Sequence, residues 1–140
     1  LSELLQHHPT DVLVGSHTHN PWTRRWGRHL VLNTGSVGAP FDGDPRAAYL
    51  LLTLARGVWQ PELRRVPYDR RPALEAFETS GLLGRGGLSA RIFYTELQNA
   101  RSYLTPFWMW TETEGLAQDW DAWRRFQQVF AERFAPARSA

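Results

Sequence analysis

Along the amino-terminal half of the chain, apolar positions come in short runs closed off by turn residues; beyond Asp69 they recur every three or four residues. Short apolar runs and period-two alternation mark strands, and a period near 3.6 marks helices. Residues 11–15 therefore predict a buried strand, 29–33 a second and 47–54 a third. Arg56-Gly57 turns the chain, and residues 58–66 return as the other arm of a β-hairpin. In that arm Val58, Gln60, Glu62, Arg64 and Val66 share one face, with Trp59, Leu63 and Arg65 opposed. Pro61 makes it an edge strand, because proline has no N–H to give a ladder. Residues 16–27, with Pro21 and two tryptophans, predict a loop. Residues 34–38 predict a glycine-rich loop, and Asp42-Gly43-Asp44-Pro45 a turn.

The helical signals frame this β-rich stretch. Residues 2–8 read as the end of a helix stopped by Pro9. Residues 70–79 predict a helix with Leu74 and Phe77 on one face, and glycines across 81–87 break it. Residues 89–103 predict the next, with Phe93, Leu97 and Ala100 at helical spacing. Thr105-Pro106 interrupts, and residues 107–110 form an aromatic knot. Residues 117–134 predict the last helix, striped by Trp120, Trp123, Gln127, Phe130 and Phe134. Asp119 and Asp121 near its start and Arg133 near its end suit the helix dipole. The expectation is an α/β chain, β-rich over 1–69 and helical over 70–140, the second part packing on the first.

Composition narrows the function classes. A chain of 140 residues with 42% apolar content is sized and composed as a folded domain. No cysteine is present, so disulfides and thiolate metal sites are excluded and any metal must be held by nitrogen and oxygen. The apolar stretch over 49–54 is far shorter than the ~20 residues of a membrane helix, and no leader pattern opens the chain, so a cytoplasmic location is expected. Every basic side chain besides histidine is arginine, as a GC-rich coding bias gives, and the net charge of +2 does not by itself argue for a nucleic-acid partner. The start at Leu1, inside what reads as a helix, fits a fragment, a processed product or an unusual start codon.

The sharpest chemistry lies in Gly15-Ser16-His17-Thr18-His19-Asn20-Pro21, at the end of the first strand. In extended backbone, residues two apart project to one side, so His17 and His19 are expected to face the same way with Thr18 turned away. Neutral imidazole is the commonest protein metal ligand, although paired histidines also occur on surfaces without any such role. Downstream follow Asn33-Thr34-Gly35-Ser36-Val37-Gly38, Asp42-Gly43-Asp44-Pro45-Arg46-Ala47 and Arg64-Arg65-Val66-Pro67-Tyr68-Asp69. In order and spacing over residues 11–69 these motifs resemble the carboxy-terminal portion of the calcineurin-like metallophosphoesterases, in their YfcE-like bacterial branch. Ser16 stands where that family usually has glycine, and Thr34 where it has proline.

The resemblance implies the second part of a β-sandwich flanked by helices, followed by an aromatic-rich helical tail. It also implies a metal-dependent phosphoester hydrolase, a phosphatase or phosphodiesterase. Two divalent cations (manganese, iron or zinc) occupy a complete site of this kind and act on a phosphoester substrate. His17 would ligate one cation and His19 the other. The earlier family motifs, Asp-x-His, Gly-Asp-x-x-Asp and Gly-Asn-His-Asp/Glu, are not in this sequence, so a missing amino-terminal half or a second chain must supply the other ligands. No catalytic residue is assigned to this chain itself. Asn33, Ser36 and Arg24 are candidates for a phosphate or substrate loop, with loop-shaping or solvation as their plainer roles. Asp42 and Asp44 read as turn formers before metal ligands, and His7, His8 and His29 as non-ligands. The alternative is a non-catalytic nucleic-acid- or protein-binding module, whose basic and aromatic segment holds Trp22, Arg24, Arg25, Trp26 and Arg28. Cut from a partner sheet, such a chain is expected to self-associate as a homo-oligomer, by exposed edges.

Overall fold

The computed structural model describes residues 3, 7 and 10–134. The protein is mixed α/β and divides into two compact units, Leu1–Asp42 with Arg46–Val66, and Gly43–Pro45 with Pro67–Ala140. The expected helix end over residues 2–8 lies outside the described residues except for Glu3 and His7, both helical, where His7 Nδ1 lies 2.9 Å from Glu3 O. No helix among the described residues is long and apolar enough to cross a membrane.

The first unit holds β1 (Val12–Gly15), β2 (Trp22–Trp26), β3 (His29–Asn33), β4 (Ala47–Ala55) and β5 (Val58–Val66). β1, β3 and β2 form one sheet in that order, with β1 parallel and β2 antiparallel to β3. Central β3 buries Leu30, Val31, Leu32 and Asn33 in succession. A continuous apolar run is what a strand covered on both faces requires. β2 falls within the stretch expected to be loop. All five of its residues are exposed, so its arginines and tryptophans show none of the burial that makes a strand legible. Gly27, at φ 59°, turns the chain so that Trp26 pairs with His29.

β4 and β5 form the expected hairpin, in register from Ala47↔Val66 to Ala55↔Val58. Its two-residue turn has Arg56 at φ 50° and Gly57 at φ 75°. Two successive positive φ values match the right-handed twist of the flanking strands. Val58, Gln60, Glu62, Arg64 and Val66 are all exposed and Trp59 and Arg65 half-buried, as the alternation predicts, but Leu63 on the opposed face is 39% exposed.

The second unit holds α1 (Arg71–Thr79), α2 (Leu82–Arg85), α3 (Gly87–Asn99), α4 (Leu104–Glu114), α5 (Trp120–Val129) and a 3-10 turn, Ala131–Phe134. α1 ends at Thr79, before the glycine-rich stretch 81–87, which holds the short α2 and the start of α3. Two expectations need correction. α3 stops at Asn99, where Ala100 turns left-handed at φ 51°, and its buried face is Ile92 and Glu96 while Phe93 is 47% exposed. Thr105-Pro106 does not interrupt: Pro106 sits in the first turn of α4, where a backbone N–H has no helical partner to lose.

Glu96 explains how α4 starts. Its Oε1 accepts both the Tyr103 N–H at 2.6 Å and the Leu104 N–H at 2.8 Å, so a buried carboxylate from α3 satisfies the amides at the head of α4. Around it Ile92, Tyr103, Phe107, Trp123 and Phe126 form a core edged by Trp110, Phe130 and Phe134. Trp120, expected in the stripe, is 45% exposed, and Phe126 takes the inward position instead. Tyr103 stacks on Phe134 at 4.4 Å and donates its hydroxyl to Arg133 O at 2.7 Å; burial pushes its pKa up. Asp119 caps α5 by accepting the Ala122 N–H at 2.9 Å.

Glu96→Ala leaves two amides without their acceptor and is expected to destabilise the protein by about 3 kcal/mol, whereas Glu96→Gln, which keeps a carbonyl oxygen, costs about 1 kcal/mol. Urea unfolding followed by near-ultraviolet circular dichroism measures both, and equal midpoints for the two variants would refute the capping role.

Candidate functional site

Because β1 and β3 are parallel, with Gly15 opposite Asn33, both strands leave the sheet at the same end. Loops after the carboxyl ends of neighbouring parallel strands lie side by side, and this rim is where open α/β sheets bind ligands. Here one loop carries His17 and His19 and the other Thr34, Gly35 and Ser36. Thr34 N–H donates to Gly15 O at 2.9 Å and continues the ladder into the loops.

Asn33, 4% exposed, ties the loops together. Its Nδ2 donates to Thr18 Oγ1 at 3.0 Å, and its Oδ1 accepts the Gly35 N–H at 2.9 Å. Ser36 Oγ accepts the Ala39 N–H at 3.0 Å, and its carbonyl accepts the Ala48 N–H at 3.0 Å, joining the loop to β4. Gly35 is required twice over: its φ is +75°, and a Cβ there would lie 3.0 Å from Ala48 Cβ and 3.1 Å from Pro21.

The histidines are not carried in extended backbone, as alternation suggests. Residues 16–19 form a turn closed by the His19 N–H to Ser16 O at 3.0 Å, and His19 sits in the left-handed region at φ 56°. Contacts rather than alternation then fix its ring. His19 Nδ1 lies 2.8 Å from Ala39 O. A carbonyl oxygen only accepts, so Nδ1 carries the proton and the neutral ring keeps its lone pair on Nε2. The ring stacks on Phe41 at 4.7 Å, and Phe41 N–H donates to His19 O at 3.3 Å. His17 is exposed, and nothing among the described residues hydrogen-bonds its ring.

His19 and Ser36 border one cleft of about 260 Å³, with Ser16, Thr34 and Ala48. Asn33 stands beneath it as a tie. Arg24 is apart: it lies on β2 opposite Val31, exposed, with its guanidinium 5.3 Å from the Trp26 ring. Asp42 forms an ion pair with Arg65, which suits a turn residue held to the neighbouring strand. His29 Nδ1 lies 2.6 Å from Thr10 O at the far end of the sheet. Thr18, Ala39 and Phe41 escape sequence reasoning. One signal was available for Thr18, since an asparagine at the end of a buried strand must find partners for its amide. Among the described residues no group of three or more His, Asp or Glu side chains stands ready to hold a metal. Comparison with family models, curated proteins and solved structures gives no match to the chain.

His19 is expected to read as the Nδ1–H tautomer in long-range 1H–15N spectra at neutral pH, and an Nε2–H ring would contradict the assignment. Asn33→Ala, which removes both ties, should destabilise the protein by about 2 kcal/mol in urea unfolding and blur the single His19 tautomer.

Proposed function

We propose that this chain contributes His17 and His19 to a divalent-metal centre that hydrolyses a phosphoester, as the carboxy-terminal part of a calcineurin-like metallophosphoesterase sandwich. The observation that carries the reading is the His19 Nδ1–H bond to Ala39 O. Metal-binding histidines characteristically donate their second ring nitrogen to a carbonyl or carboxylate, which fixes the tautomer and aims the other nitrogen at the ion. His19 has that arrangement at the rim of a parallel strand pair, and His17 follows the same strand with its ring unengaged among the described residues.

Two imidazoles suit iron or zinc, and manganese fits once carboxylates from elsewhere complete the set. The two rings make up only a share of a two-cation site, so the other ligands come from an amino-terminal half or a second chain. When bound, such cations would lower the pKa of a coordinated water and offset charge on the phosphoryl oxygens. The residues of this chain do the positioning. Ala39 and Phe41 orient the His19 ring, and Asn33 holds the His17–His19 turn against the second loop. Asn33 and Ser36 act as shapers of the rim, because their side-chain atoms are already bonded to Thr18, Gly35 and Ala39. The lack of cysteine accords with a cytoplasmic setting.

Zinc or manganese titrated into the chain should perturb the His17 and His19 ring signals together, with affinity lowered about ten-fold or more by His17→Ala or His19→Ala. Mixed with a polypeptide bearing the Asp-x-His and Gly-Asn-His motifs, the chain should gain manganese-dependent hydrolysis of a model phosphodiester or phosphomonoester. The proposal fails if neither ion reaches the rings and the mixture hydrolyses neither ester.

A further inference from the structure

Between Asp11 and Asp42 the chain has no acidic residue, while Arg24, Arg25 and Arg28 all fall inside that interval. Arg24 and Arg25 lie on β2, which among the described residues pairs only with β3 and so forms an edge of its sheet. Alternation puts Trp22, Arg24 and Trp26 on one face of β2. All three are exposed, the indoles by 40% and 38%, and the Arg24 guanidinium lies 5.3 Å from the Trp26 ring centre. Trp22 pairs with Asn33 at the loop rim, and Trp26 pairs with His29 at the opposite end. The two indoles therefore stand about 13 Å apart along the strand, several times the step of about 3.4 Å between stacked bases. Arg25 and Arg28 line a cleft of about 210 Å³ with Trp59 and the carboxylate of Asp11. Neither guanidinium has a hydrogen-bond or ion-pair partner among the described residues.

We propose that β2 is a docking track for a single-stranded nucleic acid, with bases stacking on Trp22 and Trp26, a phosphate taken by Arg24 on the same face, and Arg25 and Arg28 adding positive charge from the cleft behind it. Indole rings partly exposed on one strand face, with the Arg24 guanidinium over the Trp26 ring, match a ligand that alternates flat aromatic rings with negative charge. Exposed bases stack on aromatic side chains whatever their sequence, whereas duplex bases offer no free face. An apolar peptide does not match either, since it would have to desolvate the Arg24 charge without pairing it. The track stands apart from the metal reading, and its test removes metal.

The test is fluorescence anisotropy of a labelled oligothymidylate against the full chain in EDTA, at 50 to 200 mM salt. Binding is expected to weaken with salt at a log–log slope near −0.7, the value for the one phosphate contact at Arg24. Trp22→Ala and Trp26→Ala should each weaken binding about ten-fold, while Trp22→Phe and Trp26→Phe keep most of it by preserving a stacking ring. Arg24→Gln should flatten the slope by about 0.7. A duplex of the same length should bind more weakly. The proposal is overturned by no binding at 50 mM salt, or by tryptophan-to-alanine variants that fold by circular dichroism and bind as tightly as the parent. Equal affinity for heparin, or tryptophan-dependent capture of an acidic peptide in place of the oligonucleotide, overturns it as well.

Discussion

The parallel pairing of β1 with β3 is the constraint on which the candidate site depends. It places Gly15 beside Asn33, and from that register everything at the rim follows. The loop holding the histidines and the glycine-rich loop emerge together, and one buried amide can bond to both. Had the strands been antiparallel, the loop after β1 and the loop after β3 would leave from opposite ends of the sheet. Asn33 is therefore more than the last residue of a strand. Its side chain turns adjacent strand ends into one rigid edge, with donor and acceptor both satisfied away from water.

That rigidity gives meaning to the backbone of His19. A non-glycine residue at φ 56° is uncommon, and it persists only where surroundings over-determine it. Three contacts do so: the turn bond to Ser16, the ring bond to Ala39 and the stack on Phe41. Together they set a tautomer and a direction for one imidazole, while the imidazole two residues earlier is left without a fixed partner. The left-handed turn lays the His19 ring against the loop after β3, where an extended segment would have projected it from a sheet face.

Much of the strand pattern could be read from the sequence, and the reasons are local. β3 announces itself by an unbroken apolar run, and the β4–β5 hairpin by a turn whose second residue is glycine. β2 was hidden because an edge strand exposed along its whole length has no hydrophobic signature. The start of α4 was hidden for another reason. Its amides are capped by Glu96, seven residues upstream in a different helix, and a cap delivered through tertiary packing leaves no mark at the helix start itself. Pro106 then looked like a break when it was a permitted first-turn residue. At the site, the residue types were legible and the geometry was not. His17 and His19 could be singled out by their chemistry, but a turn at residues 16–19 can be seen only once Ala39 and Phe41 are in place to hold it.

β3 sets the position of both candidate surfaces at once. On one side its parallel partner delivers the histidine turn to the rim; on the other its antiparallel partner carries the Trp22–Arg24–Trp26 ladder. Both meet at Asn33, which pairs across to Trp22 and reaches over to Thr18. A phosphate-linked chain lying along β2 would thus be led by the register of a single sheet toward the rim that carries His17 and His19. The alignment needs no hinge and no induced order, because one buried strand fixes both ends of the path. It also accounts for the charge distribution: a stretch without carboxylates keeps attraction for phosphate along the whole path, and the first carboxylate beyond it, Asp42, is already paired with Arg65.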